Sequence, residues 1–259
     1  MWLAEDGDTR IFLLGTMHAL PEGTEWAGGP VGQAIAAADE LVMELSPAEV
    51  AKAGDEFRRL GQREAPLAID ARLSGQALAG YRAVEDDAGL DGDALDDWAV
   101  MILIGQHAAR RADLSTADGV ESGLTERFTA AGKRIAGLET ARSQLMLFET
   151  LDPATQRTLL TRAAAGADRA AADVTAMTAA WRRGDVAALE RIINEDVDSV
   201  PEARAALITD RNRRWSAWAA RRMDRPGTVL MAVGAGHMVG KDGVPALLAA
   251  EGFRVTRVQ

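Results

Sequence analysis

Four short apolar runs, at residues 10–14, 41–45, 133–138 and 228–233, constrain this chain most. Each is too short for a buried helix. Most also lack the polar alternation of a strand with one face in water, so they read as strands covered on both faces. Long stretches of helical character separate them. Strands joined through helices form βαβ units, so the chain is expected to be α/β, a mostly parallel sheet with flanking helices. A last strand is expected at 253–258, with helices at about 31–39, 118–131 and 244–251. Asp118 reads as the N-cap of the second helix, and Gly132 lies just past its end. Leu67-Ala68-Ile69 reads as one more short strand. The stretches at about 47–112 and 152–223 are otherwise helical, the second broken at Gly184 and Pro201. Asp152-Pro153 and Gly184-Asp185 read as helix starts there. One domain over 1–259 with two helical insertions is the expected organisation, and 47% apolar residues suffice for its core.

Composition narrows the chemistry. There is no cysteine, which excludes disulfides, thiolate catalysis and cysteine-based zinc or iron–sulfur sites. With 39 acidic against 29 basic residues the formal net charge is −10, which argues against non-specific nucleic-acid binding. The start, Met1-Trp2-Leu3-Ala4-Glu5-Asp6-Gly7-Asp8, has neither the basic nor the apolar region of a signal peptide, and no apolar stretch is long enough to span a membrane. A cytoplasmic protein is expected from the sequence as given, and an exported one if the start lies further upstream.

Only three histidines exist, and two share a context. His18 and His237 each follow an apolar strand in a G-x-x-H sequence, Gly15-Thr16-Met17-His18 and Gly234-Ala235-Gly236-His237. The glycine suits a crowded backbone path out of the strand. Glu44 lies inside the strand at 41–45, where a carboxylate is costly to bury unless paired or bound to a metal. Glu139 follows the strand at 133–138, where it also suits the start of a helix at 140–150. In a parallel sheet these four side chains meet at the carboxyl edge, where open α/β sheets bind ligands. Two imidazoles and two carboxylates without thiolate would suit Mn²⁺, Co²⁺, Fe²⁺ or Zn²⁺. His107, in Gln106-His107-Ala108-Ala109-Arg110, reads as structural. The glycines of 233–240 lack the lysine and the full spacing of a phosphate loop.

Five blocks, in order, resemble the TraB/GumN family, which includes the TIKI metalloproteases. They are Phe12-Leu13-Leu14-Gly15-Thr16-Met17-His18-Ala19-Leu20-Pro21, Ala37-Ala38-Asp39-Glu40-Leu41-Val42-Met43-Glu44, Gly137-Leu138-Glu139-Thr140, Thr209-Asp210-Arg211-Asn212-Arg213-Arg214-Trp215, and 233–244 around His237. The resemblance implies a fold related to the erythromycin-esterase and ChaN haem-binding proteins. It implies His18 and His237 as metal ligands, Glu44 and Glu139 as ligand or general base, and Arg211 as the arginine of its block. One departure is Gly119-Val120-Glu121, where the family pattern has Gly-Val-Asp.

The expected function is therefore a metal-dependent hydrolase, a peptidase first, acting on a peptide or small-molecule substrate. His18, Glu44 and His237 would hold the ion (Mn, Co or Zn), Glu139 would be the base, and Arg211 would grip a substrate carboxylate or an oxyanion. Arg211 could equally be a structural ion pair with a site glutamate. The alternatives are a haem- or metal-binding protein without turnover, and a hydrolase of non-peptide esters.

Overall fold

The apolar runs form four adjacent strands, one of them at the edge, of a mixed six-stranded sheet in a computed structural model that describes residues 1–197 and 199–259, with side chains outside 194–198. The strands are β1 (Trp2–Glu5), β2 (Thr9–Thr16), β3 (Glu40–Leu45), β4 (Arg134–Glu139), β5 (Gly227–Gly234) and β6 (Arg254–Arg257), in spatial order β4-β3-β5-β2-β1-β6. The four strands built from these runs, β4, β3, β5 and β2, are mutually parallel, and the strand expected at 253–258 is β6. β1 runs against both β2 and β6, so it alone is reversed. It was not expected, although Asp6-Gly7 between two apolar runs is a hairpin signal.

Side chains along the central strands alternate between two cores, as the two-residue strand repeat requires. Leu41, Met43, Leu230 and Ala232 pack under α1 (Gly29–Ala37) and α5 (Val120–Ala130). Val42, Val229, Met231 and Val233 pack under α11 (Asp210–Met223) and α12 (Val244–Ala250). The first insertion holds α2 (Pro47–Leu60), α3 (Gly75–Ala88) and α4 (Asp97–Arg111). α6 (Ala141–Glu149) follows β4, and the second insertion holds α7 (Pro153–Ala165), α8 (Ala170–Arg182), α9 (Val186–Val197) and α10 (Pro201–Arg204). The two insertions share a core, in which Tyr81, Val100 and Ile104 meet Leu160 and Ala164.

Asp152 caps α7 as expected, accepting from the backbone N–H groups of Ala154 and Thr155. Two local expectations are corrected. Residues 67–69 are not a strand. Leu67 and Ile69 instead bond to Asp93, and Ile69 buries its side chain in the helical core, starting a 3₁₀ turn. Asp118 does not cap α5; the cap position is Gly119, because the chain passes too close to the loop after β2 for a side chain. A Cβ on Gly119 would lie 2.1 Å from the carbonyl oxygen of His18. Among the described residues, no helix is long and apolar enough to cross a membrane.

Candidate functional site

α11 lies along β3 and is pinned to it at both ends by buried arginines. Arg211 and Arg222, eleven residues apart, are separated by about 16 Å of helix axis. Glu40 and Glu44, on the same face of β3, are about 13 Å apart. Arg222 Nε donates to Glu40 Oε1 at 2.8 Å, and Arg211 Nη2 to Glu44 Oε2 at 2.6 Å. Trp215, Ala219 and Met223 fill the helix face between the two pairs.

At the carboxyl edge Arg211 becomes the hub. Its Nε and Nη2 grip Glu139 at 3.0 and 2.8 Å, the two-pronged arrangement that suits a planar guanidinium. Its Nη1 donates to the carbonyl of Leu207, at 3.3 Å, and to His237 Nε2, at 3.1 Å. Leu207 lies in a π turn (Ala205–Thr209) leading into α11. A guanidinium has five N–H groups, and all five have acceptors here. The fork expected to hold a substrate carboxylate or an oxyanion is thus used up internally, on both glutamates. Glu44 also accepts from Gln144 Nε2 and from the backbone N–H of Gly234, each at 2.8 Å. Burial alone would raise its pKa. Arg211 chiefly, with the histidines and the Gly234 bond, overcomes that and brings it to about 2.

His237, in the 3₁₀ turn after β5, is 5% exposed and packs on the Trp215 ring at 4.6 Å. Its tautomer follows from its neighbours. Arg211 can only donate, so Nε2 accepts. Nδ1–H then donates to Asn212 Oδ1 at 2.7 Å, and Asn212 is held that way round because its Nδ2 donates to the carbonyl of Asp242. Burial, aided by the positive charge of Arg211 and opposed by Glu44, lowers the His237 pKa to about 4.

His18 is arranged differently. Its Nδ1 lies 2.7 Å from Glu121 Oε1, and 67% of its side chain is exposed. Val120 N–H donates to the Met17 carbonyl, and the bare Gly119 lets α5 close on the loop, so Glu121 arrives beside both His18 and Thr16. Surrounding protein opposes protonation of the ring. The hydrogen bond and charge of Glu121, with the charge of Glu44, prevail and raise its pKa to about 9. Nε2 stays directed towards Gly234: a Cβ there would sit 3.6 Å from it, 3.2 Å from Glu44 Oε1 and 3.6 Å from His237 Cδ2. Gly15, the other glycine of the paired sequences, passes within 3.1 Å (Cβ to Cα) of Ala235. Both glycines are there for space.

All five expected residues, His18, Glu44, Glu139, Arg211 and His237, thus lie at the carboxyl edge. The divalent metal implied by the resemblance does not fit them as they are arranged. His237 Nε2, Glu44 Oε2 and both oxygens of Glu139 are occupied by Arg211, whose guanidinium supplies the positive charge at their centre. Among the described residues no three His, Asp or Glu side chains form a group able to hold an ion. Glu139 directly precedes Thr140, the cap of α6, so it does lie at the start of a helix, as expected.

The family model described as TraB/PrgY/gumN matches residues 1–257. The chain belongs to the TraB/PrgY/gumN family. No curated protein and no solved structure matches it. Of the residues quoted for the TraB/PrgY/gumN resemblance, Asn212 proves to be the partner that orients His237. Glu121, the departure from Gly-Val-Asp, is the partner of His18. Gln144 carried no signal, because only the packing of α6 brings it to Glu44. His107 lies on α4, 3.4 Å from Asp87.

Proposed function

We propose that this chain is a hydrolase of carboxylic esters or amides, the peptide bond included, in which His18 is the general base. The observation that carries this reading is the His18–Glu121 pair, a carboxylate holding Nδ1–H on an exposed ring whose Nε2 is turned towards Gly234. In its neutral form His18 would take a proton from a water molecule through Nε2 as that water adds to the substrate carbonyl. The imidazolium, stabilised by Glu121, would return the proton to the leaving group. Arg211, Glu44, Glu139 and His237 would form the rigid floor of the site beside His18.

The test is a panel of chromogenic esters and fluorogenic peptides, assayed on the native chain, His18→Ala and Glu121→Gln. His18→Ala should lose about 10²- to 10⁴-fold in rate, as removal of a general base does, and Glu121→Gln should be slower than the native chain at high pH, where His18 is neutral in both. Hydrolysis undiminished in His18→Ala would end the proposal. Activity abolished by chelator and restored by Mn²⁺ or Co²⁺ would replace it with the metal-dependent peptidase that the family resemblance implies.

A further inference from the structure

A second feature at the same sheet edge belongs to none of these residues. Beyond β2, over the ends of β1 and β6, lies a cleft of roughly 870 Å³ walled by α1, α5, α8 and α9. That is the size range of pockets that enclose small organic molecules. The chain is acidic overall, yet the side chains lining this cleft include Arg127, Arg182 and Arg257 against the single carboxylate Glu25. Arg257 spends its donors on the backbone oxygens of Gly184 and Gln259. Arg127 and Arg182 have no carboxylate partner among the described residues. Two cations left unneutralised at the mouth of one cavity focus a positive field into it.

Of the three tryptophans lining the cleft, Trp26 and Trp181 have rings held in place by their neighbours. Trp181 Nε1 donates to the Gly15 carbonyl at 2.8 Å, which locks that ring against the end of β2. Trp26 leans on α5 at Gly123, where a Cβ would come within 2.8 Å of the ring, and the Arg127 guanidinium lies 5.9 Å from the ring centroid. Gly123 and Arg127 are four residues apart, so one face of α5 both seats the indole and caps it with a cation. The uncapped first turn of α1, at Gly28 and Gly29, opens onto the same space and adds backbone donors of the same polarity.

We propose that this cleft is a binding site for a small anionic amphiphile, a molecule with a carboxylate or phosphate-type head on a flat apolar body. The body would lie against Trp26 and Trp181, and the head would meet Arg127 and Arg182. The proposal is independent of the hydrolytic reading, because it concerns binding without turnover.

Calorimetric titration of the whole chain with 2-naphthoate, naphthalene-2-phosphonate and the neutral 2-naphthamide tests it. At least one of the two anions should bind about tenfold or more tightly than the amide, the usual scale of a charge-assisted hydrogen bond. The anion preferred identifies the head group. The double variant Arg127→Ala/Arg182→Ala and the single Arg182→Glu should each lose that preference. Both positions are exposed, so the variants should melt as the native chain does. Equal affinity for the amide, unchanged anion binding by both variants, or no binding of any probe at millimolar concentration would overturn the proposal. Loss of ester hydrolysis in His18→Ala, with anion binding intact, would separate the two sites.

Discussion

Arg211 Nη1 lies 3.1 Å from His237 Nε2, and that contact decides the protonation of the imidazole. A donor-only guanidinium cannot face a protonated nitrogen, so His237 is neutral in the folded chain. Unfolded, it titrates near 6.5. Between about 4 and 6.5 the unfolded chain therefore binds the additional proton, and stability should fall as pH drops through that window. The full effect is roughly 3 kcal/mol. Urea unfolding at a series of pH values should show the loss, and His237→Gln should flatten this part of the profile.

Glu44 adds to the acid loss lower on the scale. Its folded pKa of about 2 lies below the ordinary 4.5, so its contribution is present above 4.5 and disappears as pH falls towards 2. Glu44→Gln should remove that lower part of the acid transition. If the acid midpoint does not move, Glu44 is not the charge that Arg211 holds.

His18 runs the opposite way, because its folded pKa of about 9 lies above 6.5. The ion pair with Glu121 is complete below 6.5 and is lost as pH rises through 9. A base that must be neutral to act would give a kcat/KM that rises with pH towards an inflection near 9. Glu121→Gln should move that inflection down, towards the ordinary histidine value. A pH–rate profile on both proteins measures the shift, and an inflection unmoved by the substitution would show that Glu121 does not set it.

Removing the hub should cost more than removing any other charge in the site. Arg211→Met leaves Glu44 and Glu139 buried without their cation, a loss of about 3–5 kcal/mol. Arg211→Lys should recover only part of it, since an ammonium cannot grip Glu139 with two prongs and still reach Glu44 and His237. Chemical denaturation of both variants gives the two numbers. A native-like Arg211→Met would show that these contacts add nothing.

Gly234→Ala tests the narrow space between Glu44, His18 and His237 without removing a charge. The new methyl would sit 3.2 Å from Glu44 Oε1 and 3.6 Å from His18 Nε2. The fold should persist with a lowered thermal midpoint, because the Glu44 carboxylate must give way, while hydrolysis should fall by about 10²-fold, the scale of a misplacement near 1 Å. Full activity would place the reacting atoms elsewhere.

Much of this molecule was determined by local sequence. The apolar runs at 10–14, 41–45, 133–138 and 228–233 had to be strands covered on both faces, and the helices between them made the sheet parallel. Parallel strands bring their ends to one edge, so His18, Glu44, Glu139 and His237 met there without any knowledge of packing. What those residues do to one another was decided only by the tertiary structure. α11 could spend Arg211 on Glu44, Glu139 and His237 because it packs with Arg211 beside Glu44 and Arg222 beside Glu40, and no local pattern encodes that alignment. Glu121 could reach His18 because Gly119 lets α5 press against a carbonyl 101 residues earlier in the chain. Residue type and spacing determine which groups reach a sheet edge. Whether a carboxylate there stays free, holds an ion or is neutralised by an arginine depends on distances of a few ångströms between segments far apart in sequence, and those exist only once the layers have packed.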